Sequence, residues 1–204
     1  MNVRTLRPGV STPPLSITLI IACTAVFMMQ VSMSVPRSLA LWPVGSGLFE
    51  LWQPVSYAFL HGSWSHLFFN MFALWMFGLP IERAWGTSRF ASFYLACVLG
   101  AAFTQLVVQW FAGEMWPTIG ASGGVFGLLL AFGVTFPENR VLLIFFPVPI
   151  KAKWFVLIYG VLELVFGVTG AMPGVAHFAH LGGLVFGALL LLRWGWRPGM
   201  TWRR

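Results

Sequence analysis

The sequence predicts an all-α polytopic membrane protein: six transmembrane helices in a compact bundle, with both termini in the cytoplasm. Three observations carry this. Of 204 residues, 58% are hydrophobic and 8% charged, with a mean hydropathy of +0.83, so the core must be helices packed against helices in lipid. The apolar residues fall into six runs separated by breaks rich in glycine, proline or charge. The lysines and arginines fall almost wholly on one side of those six runs.

Taken in order, residues 1–14 form a short cytoplasmic segment with Arg4, Arg7 and three prolines. Residues 15–35 are long enough to span a bilayer. A signal peptide is the rival reading, with Ser32 and Ser34 before a cut, but the run is long for one. Residues 36–65 are a connection holding Trp42, Phe49, Trp52, Tyr57 and Phe59 with few charges, which suggests aromatic anchors in the membrane interface. The second run, 66–81, closes in a polar turn, Glu82-Arg83-Ala84-Trp85-Gly86. The third is 90–111 and the fourth 121–136. A turn, Pro137 to Arg140, leads to a proline-broken connection at 145–149. The fifth run is 153–168, the sixth 177–192. The transmembrane domain is thus 15–193, followed by a basic cytoplasmic tail, 194–204, with no separate soluble domain at either end.

With the N-terminus inside, Arg37 is the one basic residue of the 12 on the outer side. Arg83, Arg89, Arg140, Lys151, Lys153, Arg193, Arg197, Arg203 and Arg204 join Arg4 and Arg7 within, and an odd number of spans would break this asymmetry. The net charge of +7 is scattered in short loops without a basic stripe, so nucleic acid is not a partner. Cys23 and Cys97 lie in apolar runs at a spacing useless for a metal, so both read as core residues. Neither a metal nor another cofactor is expected.

The stretch Thr118 to Gly127 sets a serine among glycines at the head of the fourth run. A serine hydroxyl becomes a nucleophile when a base takes its proton. Glycines beside it let backbone N–H groups approach an oxygen, and a helix N-terminus favours developing negative charge. Gly123-x-x-x-Gly127 fits a helix-packing face as well, and the decapeptide alone favours that reading.

The topology adds what this stretch lacks. Runs two, four and six all begin on the outer side, and they carry His66 and Asn70, Ser122, and His180 respectively. At ~1.5 Å per residue from their inner ends, Ser122 and His180 both lie roughly 21 Å from the inner boundary. That puts them about 10 Å below the outer edge of a hydrocarbon core of roughly 30 Å. Asn70 is slightly deeper. Polar groups at matching depth are costly unless they meet inside the bundle. His66 and Asn70 share a helix face at i, i+4. His180, Gly183 and Gly187 share another, which can approach Gly123 and Gly127 closely and bring His180 to Ser122. Each polar residue alone could be interhelical glue; four at one depth favour a functional site.

These residues resemble a known family, the rhomboid intramembrane serine proteases. The motifs are His61-x-x-x-x-His66-x-x-x-Asn70, Gly120-x-Ser122-Gly123, and Ala179-His180-x-x-Gly183-x-x-x-Gly187, with Glu82-Arg83-x-x-Gly86 similar to the family's turn. The resemblance extends from the first run to the sixth. It implies that Ser122 is the nucleophile and His180 the general base of a dyad, and that His66, Asn70 and the Ser122 N–H form an oxyanion hole. Gly120, Gly123, Gly183 and Gly187 are its supporting glycines. It also implies transmembrane protein substrates in the lipid bilayer. The expected setting is a bacterial inner membrane, with the site opening to the periplasmic or extracellular side. One departure is visible: the family's Trp-Arg pair in the first loop reads Trp52-Gln53 here.

Three further residues carry competing readings. His61 lines water access or caps its loop, the latter being favoured. His177 competes with His180 as base, but lies nearer the surface and lacks the Ala-His-x-x-Gly context. Glu163 either orients a histidine as a third member or pairs locally, and a dyad favours local pairing. An inactive rhomboid-like binder of membrane clients and a small transporter are the alternative functions. The first requires a lost Ser or His, and the second broken helices in paired halves.

Overall fold

A computed structural model describes residues 14–33, 37–143 and 146–197. Arg4, Arg7, Ser34, Phe145, Arg203 and Arg204 of the sequence reading lie outside these residues. The chain is a helical bundle. Helix α1 is Leu15–Ser32, α2 Gln53–Ser56, α3 Trp64–Ala73, α4 Leu79–Trp85, α5 Thr87–Ala112, α6 Ser122–Thr135, α7 Ala152–Thr169 and α8 His177–Arg193. A π-helical segment, Leu74–Gly78, joins α3 to α4, so the second apolar run is one rod with a local bulge. Helices α1, α5 and α7 are long and apolar enough to cross a membrane, and α6 and α8 are shorter apolar helices. Large apolar side chains cover the outside, such as Phe68, Trp75, Phe103, Leu157 and Val185. A surface of that kind faces lipid, and the chain is an integral, multi-pass membrane protein.

The centre is α6, α5 and α8, packed through small residues. A Cβ built on Gly183 of α8 would overlap the carbonyl oxygen of Gly123 on α6, and one on Gly127 would overlap Cys97 of α5. Phe186 of α8 fills the space that Gly100 of α5 leaves, and Gly182 lies against Thr104. Without a hydrophobic drive between helices in lipid, such backbone approach supplies the packing energy. Cys23 and Cys97 are buried free thiols in this core.

Helix α1 is moored by Glu82. One carboxylate oxygen accepts from the Leu15 N–H at 2.7 Å and the Thr87 hydroxyl at 2.8 Å. The other accepts from the Ser16 N–H at 2.9 Å and the Ser16 hydroxyl at 2.7 Å. A carboxylate at a helix N-terminus satisfies orphan N–H donors and meets the positive end of the helix dipole. The polar turn after the second run is therefore a cap for the first.

Two expectations change. Of the connection at 145–149, the described residues 146–149 belong to a short antiparallel ribbon, β1 Arg140–Leu143 with β2 Phe146–Lys151. Pro147 and Pro149 alternate along β2, so both missing N–H groups fall on one edge, and a two-stranded ribbon tolerates that. Glu138 ties its base to Lys151 at 2.7 Å and to Lys153. In the first loop, Tyr57 is core rather than an interface anchor: it is 1% exposed and its hydroxyl donates to the Val98 carbonyl at 2.8 Å. Trp52 is half exposed, and the indoles of Trp42 and Trp52 donate to the carbonyls of Arg37 and Ser38.

Gln53 explains its own departure from the family pattern. It is fully buried, and its amide accepts from the Trp42 N–H at 3.0 Å while donating to Leu48 and Ser38 carbonyls at 2.8 and 3.1 Å. A neutral amide can both accept and donate there; a guanidinium only donates.

Candidate functional site

The serine is placed by the segment before it. Leu41 and Thr118 exchange two backbone hydrogen bonds of 3.0 and 2.8 Å, and the Gly120 N–H donates to the Tyr57 carbonyl at 2.9 Å. The first loop thus clamps residues 118–120 as an extended approach to α6. Gly120 has φ +125, and a Cβ there would lie 2.7 Å from His66 Nε2, so both conformation and space require glycine. Ser122 is the first residue of α6, so its N–H belongs to the set a helix cannot satisfy internally.

His66 sits in the first turn of α3 because Ser63 caps that helix, its hydroxyl accepting the His66 N–H at 3.1 Å. The Nδ1 of His66 accepts from the Gly62 N–H at 3.3 Å, which leaves Nε2 directed over Gly120. Asn70 follows one turn later, buried, with its side-chain N–H donating to the His66 carbonyl at 2.9 Å. His61 is 1% exposed, its ring edge-on to His66 at 5.0 Å. Burial, and then the neighbouring His66, lower its imidazole pKa to about 4.

His180 Nε2 and Ser122 Oγ are 2.8 Å apart. The contact follows from the glycine seam below it, which sets α8 against α6. Phe126, one turn after Ser122, stacks on the His180 ring at 4.3 Å and 9°. The i+4 spacing from Ser122 was the available signal for Phe126, which the sequence reading did not use. Ser122, His180, His66 and Asn70 all line one open cavity of about 1380 Å³. Its apolar walls include Phe69 and Phe72 of α3 and Phe155 and Tyr159 of α7.

Glu163 is not a local pair. It lies on the face of α7 that carries Gly160 and Gly167, and those glycines face Leu184 and Phe178 of α8. Its Oε2 lies 2.6 Å from His177 Nδ1 and 3.0 Å from His180 Nδ1. His177 Nε2 is 3.2 Å from the Ala171 carbonyl, which can only accept, so that nitrogen carries a proton. The three atoms Glu163 Oε2, His177 Nδ1 and His180 Nδ1 lie within 4.8 Å of one another, a spacing a metal ion also uses. The shortest of these contacts is the hydrogen bond between Glu163 and His177.

Comparison with known proteins places these residues in context. The family model described as Rhomboid domain matches residues 48–197. The chain is 34% identical to mitochondrial Rhomboid protein 1 of Saccharomyces cerevisiae over 68% of its own length and 39% of that protein. It is 29% identical to rhomboid protease GlpG of Yersinia pseudotuberculosis over 87% of its length and 61% of that protein. It is 33% identical to rhomboid protease GluP of Bacillus subtilis over 68% of its length and 25% of that protein. The alignments therefore span less than two thirds of each of these relatives.

Proposed function

This chain belongs to the rhomboid family, and on that premise we propose that it is an intramembrane serine endopeptidase acting through Ser122 and His180. The observation that carries the reading is the 2.8 Å contact of Ser122 Oγ with His180 Nε2 in a cavity that also holds His66 and Asn70. Two of the relatives bear the word protease in their names.

The reaction is acyl transfer. Ser122 Oγ attacks the substrate carbonyl carbon as His180 Nε2 takes its proton. The carbonyl oxygen becomes an oxyanion, stabilised by the Ser122 N–H, His66 Nε2–H and the Asn70 amide. A proton on His66 Nε2 is the tautomer set by its Nδ1, which accepts from Gly62. His180 then protonates the departing amine, the C–N bond breaks, and water repeats the sequence on the acyl-enzyme.

The substrate class is a transmembrane segment. It enters between α3 and α7, whose Phe69, Phe72, Phe155 and Tyr159 form apolar walls of the cavity. The six runs span the bilayer with both termini cytoplasmic, and the site opens to the opposite side. That side is the periplasmic or extracellular one in a bacterial membrane, while the yeast relative carries a mitochondrial name.

The test is a fluorophosphonate probe together with a model single-span substrate. A fragment and a labelled serine present with the wild-type chain and absent with Ser122→Ala support the reading. Undiminished cleavage by Ser122→Ala overturns it.

A further inference from the structure

We propose that Glu163 is a positioning residue for His180, so that the site works as a Ser–His–Glu arrangement; the inference rests on the protease reading above. His180 Nδ1 is buried and makes no hydrogen bond, yet the Glu163 carboxylate oxygen stands 3.0 Å from it. The distance is that of an ion pair, and the approach is not aligned as a hydrogen bond. Catalytic hydrogen bonds are often poorly aligned without substrate and tighten when it binds.

The rest of the cluster holds that oxygen in place. His177 grips the same Oε2 through Nδ1 at 2.6 Å and is itself anchored to the Ala171 carbonyl through Nε2. Phe126 fixes the plane of the His180 ring by stacking on its face. Stacking does not choose which nitrogen carries the proton, whereas an acceptor at Nδ1 does. With Nδ1 protonated toward Glu163, Nε2 is a bare acceptor facing the Ser122 hydroxyl. A neutral imidazole of the other tautomer points a proton at Ser122 and has no base to offer.

During attack the Ser122 proton moves to Nε2 while Oγ bonds to the carbonyl carbon. The Nδ1 proton stays on His180, and the new imidazolium charge forms beside the carboxylate. The titratable groups around His180 are Glu163 on α7, His177 on its own helix and His66 on α3. Of these only Glu163 can carry a negative charge, and its Oε2 is the atom that faces Nδ1, where the imidazolium charge forms.

The experiment compares wild type, Glu163→Gln and Glu163→Asp as the full chain in bilayers. It reads kcat and KM for a model single-span substrate, and the pH dependence of fluorophosphonate labelling at Ser122. Glu163→Gln keeps the shape and removes the charge. Its kcat is expected to fall roughly 10²- to 10⁴-fold, with KM nearly unchanged. The acid limb of the labelling profile is expected to move to lower pH, and Glu163→Asp should recover part of both. A Glu163→Gln chain with wild-type kcat, or one that slows with its acid limb unmoved, overturns the inference and leaves the protease reading standing. If Glu163→Gln does not fold, Glu163→Asp decides: its carboxylate is one methylene short, and an unaltered kcat and limb overturn the inference. A wild-type chain that neither labels nor cleaves overturns the protease reading and this inference together.

Discussion

Gly183 and Gly123 meet backbone to backbone: a Cβ on Gly183 would overlap the Gly123 carbonyl oxygen, one residue after Ser122. Backbone cannot rotate aside as a side chain does. Gly183→Ala should therefore destabilise the fold by on the order of 1–3 kcal/mol and separate Ser122 from His180. Gly160→Ala is the control, because its Cβ would meet Leu184 at an ordinary 3.6 Å. It should be neutral or slightly stabilising. Thermal unfolding and probe labelling of the two variants check this, and equal behaviour would refute the seam.

Glu82 accepts four hydrogen bonds, three from the first residues of α1 and one from Thr87 of α5. Glu82→Ala leaves the buried Ser16 donors unpaired, at about 1–3 kcal/mol for each unsatisfied group. The expected result is a lower melting temperature and earlier proteolysis within α1. Substrate affinity of the surviving folded fraction should be unchanged, since Glu82 lies outside the cavity.

His66 and Asn70 are assigned to the oxyanion. Loss of one such donor lowers kcat by roughly 100- to 1000-fold, so His66→Ala and Asn70→Ala should slow cleavage strongly with a smaller effect on KM. His66→Ala also removes the ring beneath Gly120, so its loss should be the larger if loop order matters. Wild-type turnover in both variants would leave the hole to backbone N–H groups alone.

His61 gives a stability signature. Its folded pKa is pulled from 6.5 to about 4, so between these values the unfolded chain binds a proton that the folded chain refuses. Stability therefore falls as pH drops from about 6.5 to about 4 and levels off below, by about 1.4 kcal/mol per unit of lowering. His61→Phe keeps a buried ring without a titrating group and should flatten that slope. Melting curves across this range test it; an unaltered slope in His61→Phe would move the effect to another group.

The sequence made the meeting of runs four and six legible because the glycines carrying it recur at i, i+4 beside Ser122 and His180. Depth counted along helices then brought His66 and Asn70 to the same cavity. Three features escaped. Glu163 was read as a local pair because its partners lie on the next helix; the glycines flanking it at 160 and 167 were the overlooked sign of an inward face. Glu82 was read as a turn because a cap 67 residues away from Leu15 leaves no local pattern. Tyr57 was read as an anchor by its aromatic neighbours, since composition does not distinguish a ring whose hydroxyl finds a buried carbonyl from one at the lipid boundary.

The depth of the serine constrains what is cut. In the proposed orientation, helix rise and core thickness set Ser122 about 10 Å below the outer boundary, so the scissile bond must reach that depth. An intact helix holds each carbonyl in an i to i−4 bond and surrounds it with side chains, so the substrate must unwind locally before Ser122 attacks. Glycine near the outer end of its segment lowers that cost by about 1 kcal/mol, and proline by about 3. A small residue before the cut fits best beside residues 118–123, where Gly120 already lies against His66. Single-span proteins should be cleaved near the outer end of their transmembrane segment, and replacing that end with leucines should suppress cleavage. Mass spectrometry of the fragments decides it: a cut near the cytoplasmic end, or indifference to leucine, would overturn both the proposed orientation and the depth of the serine.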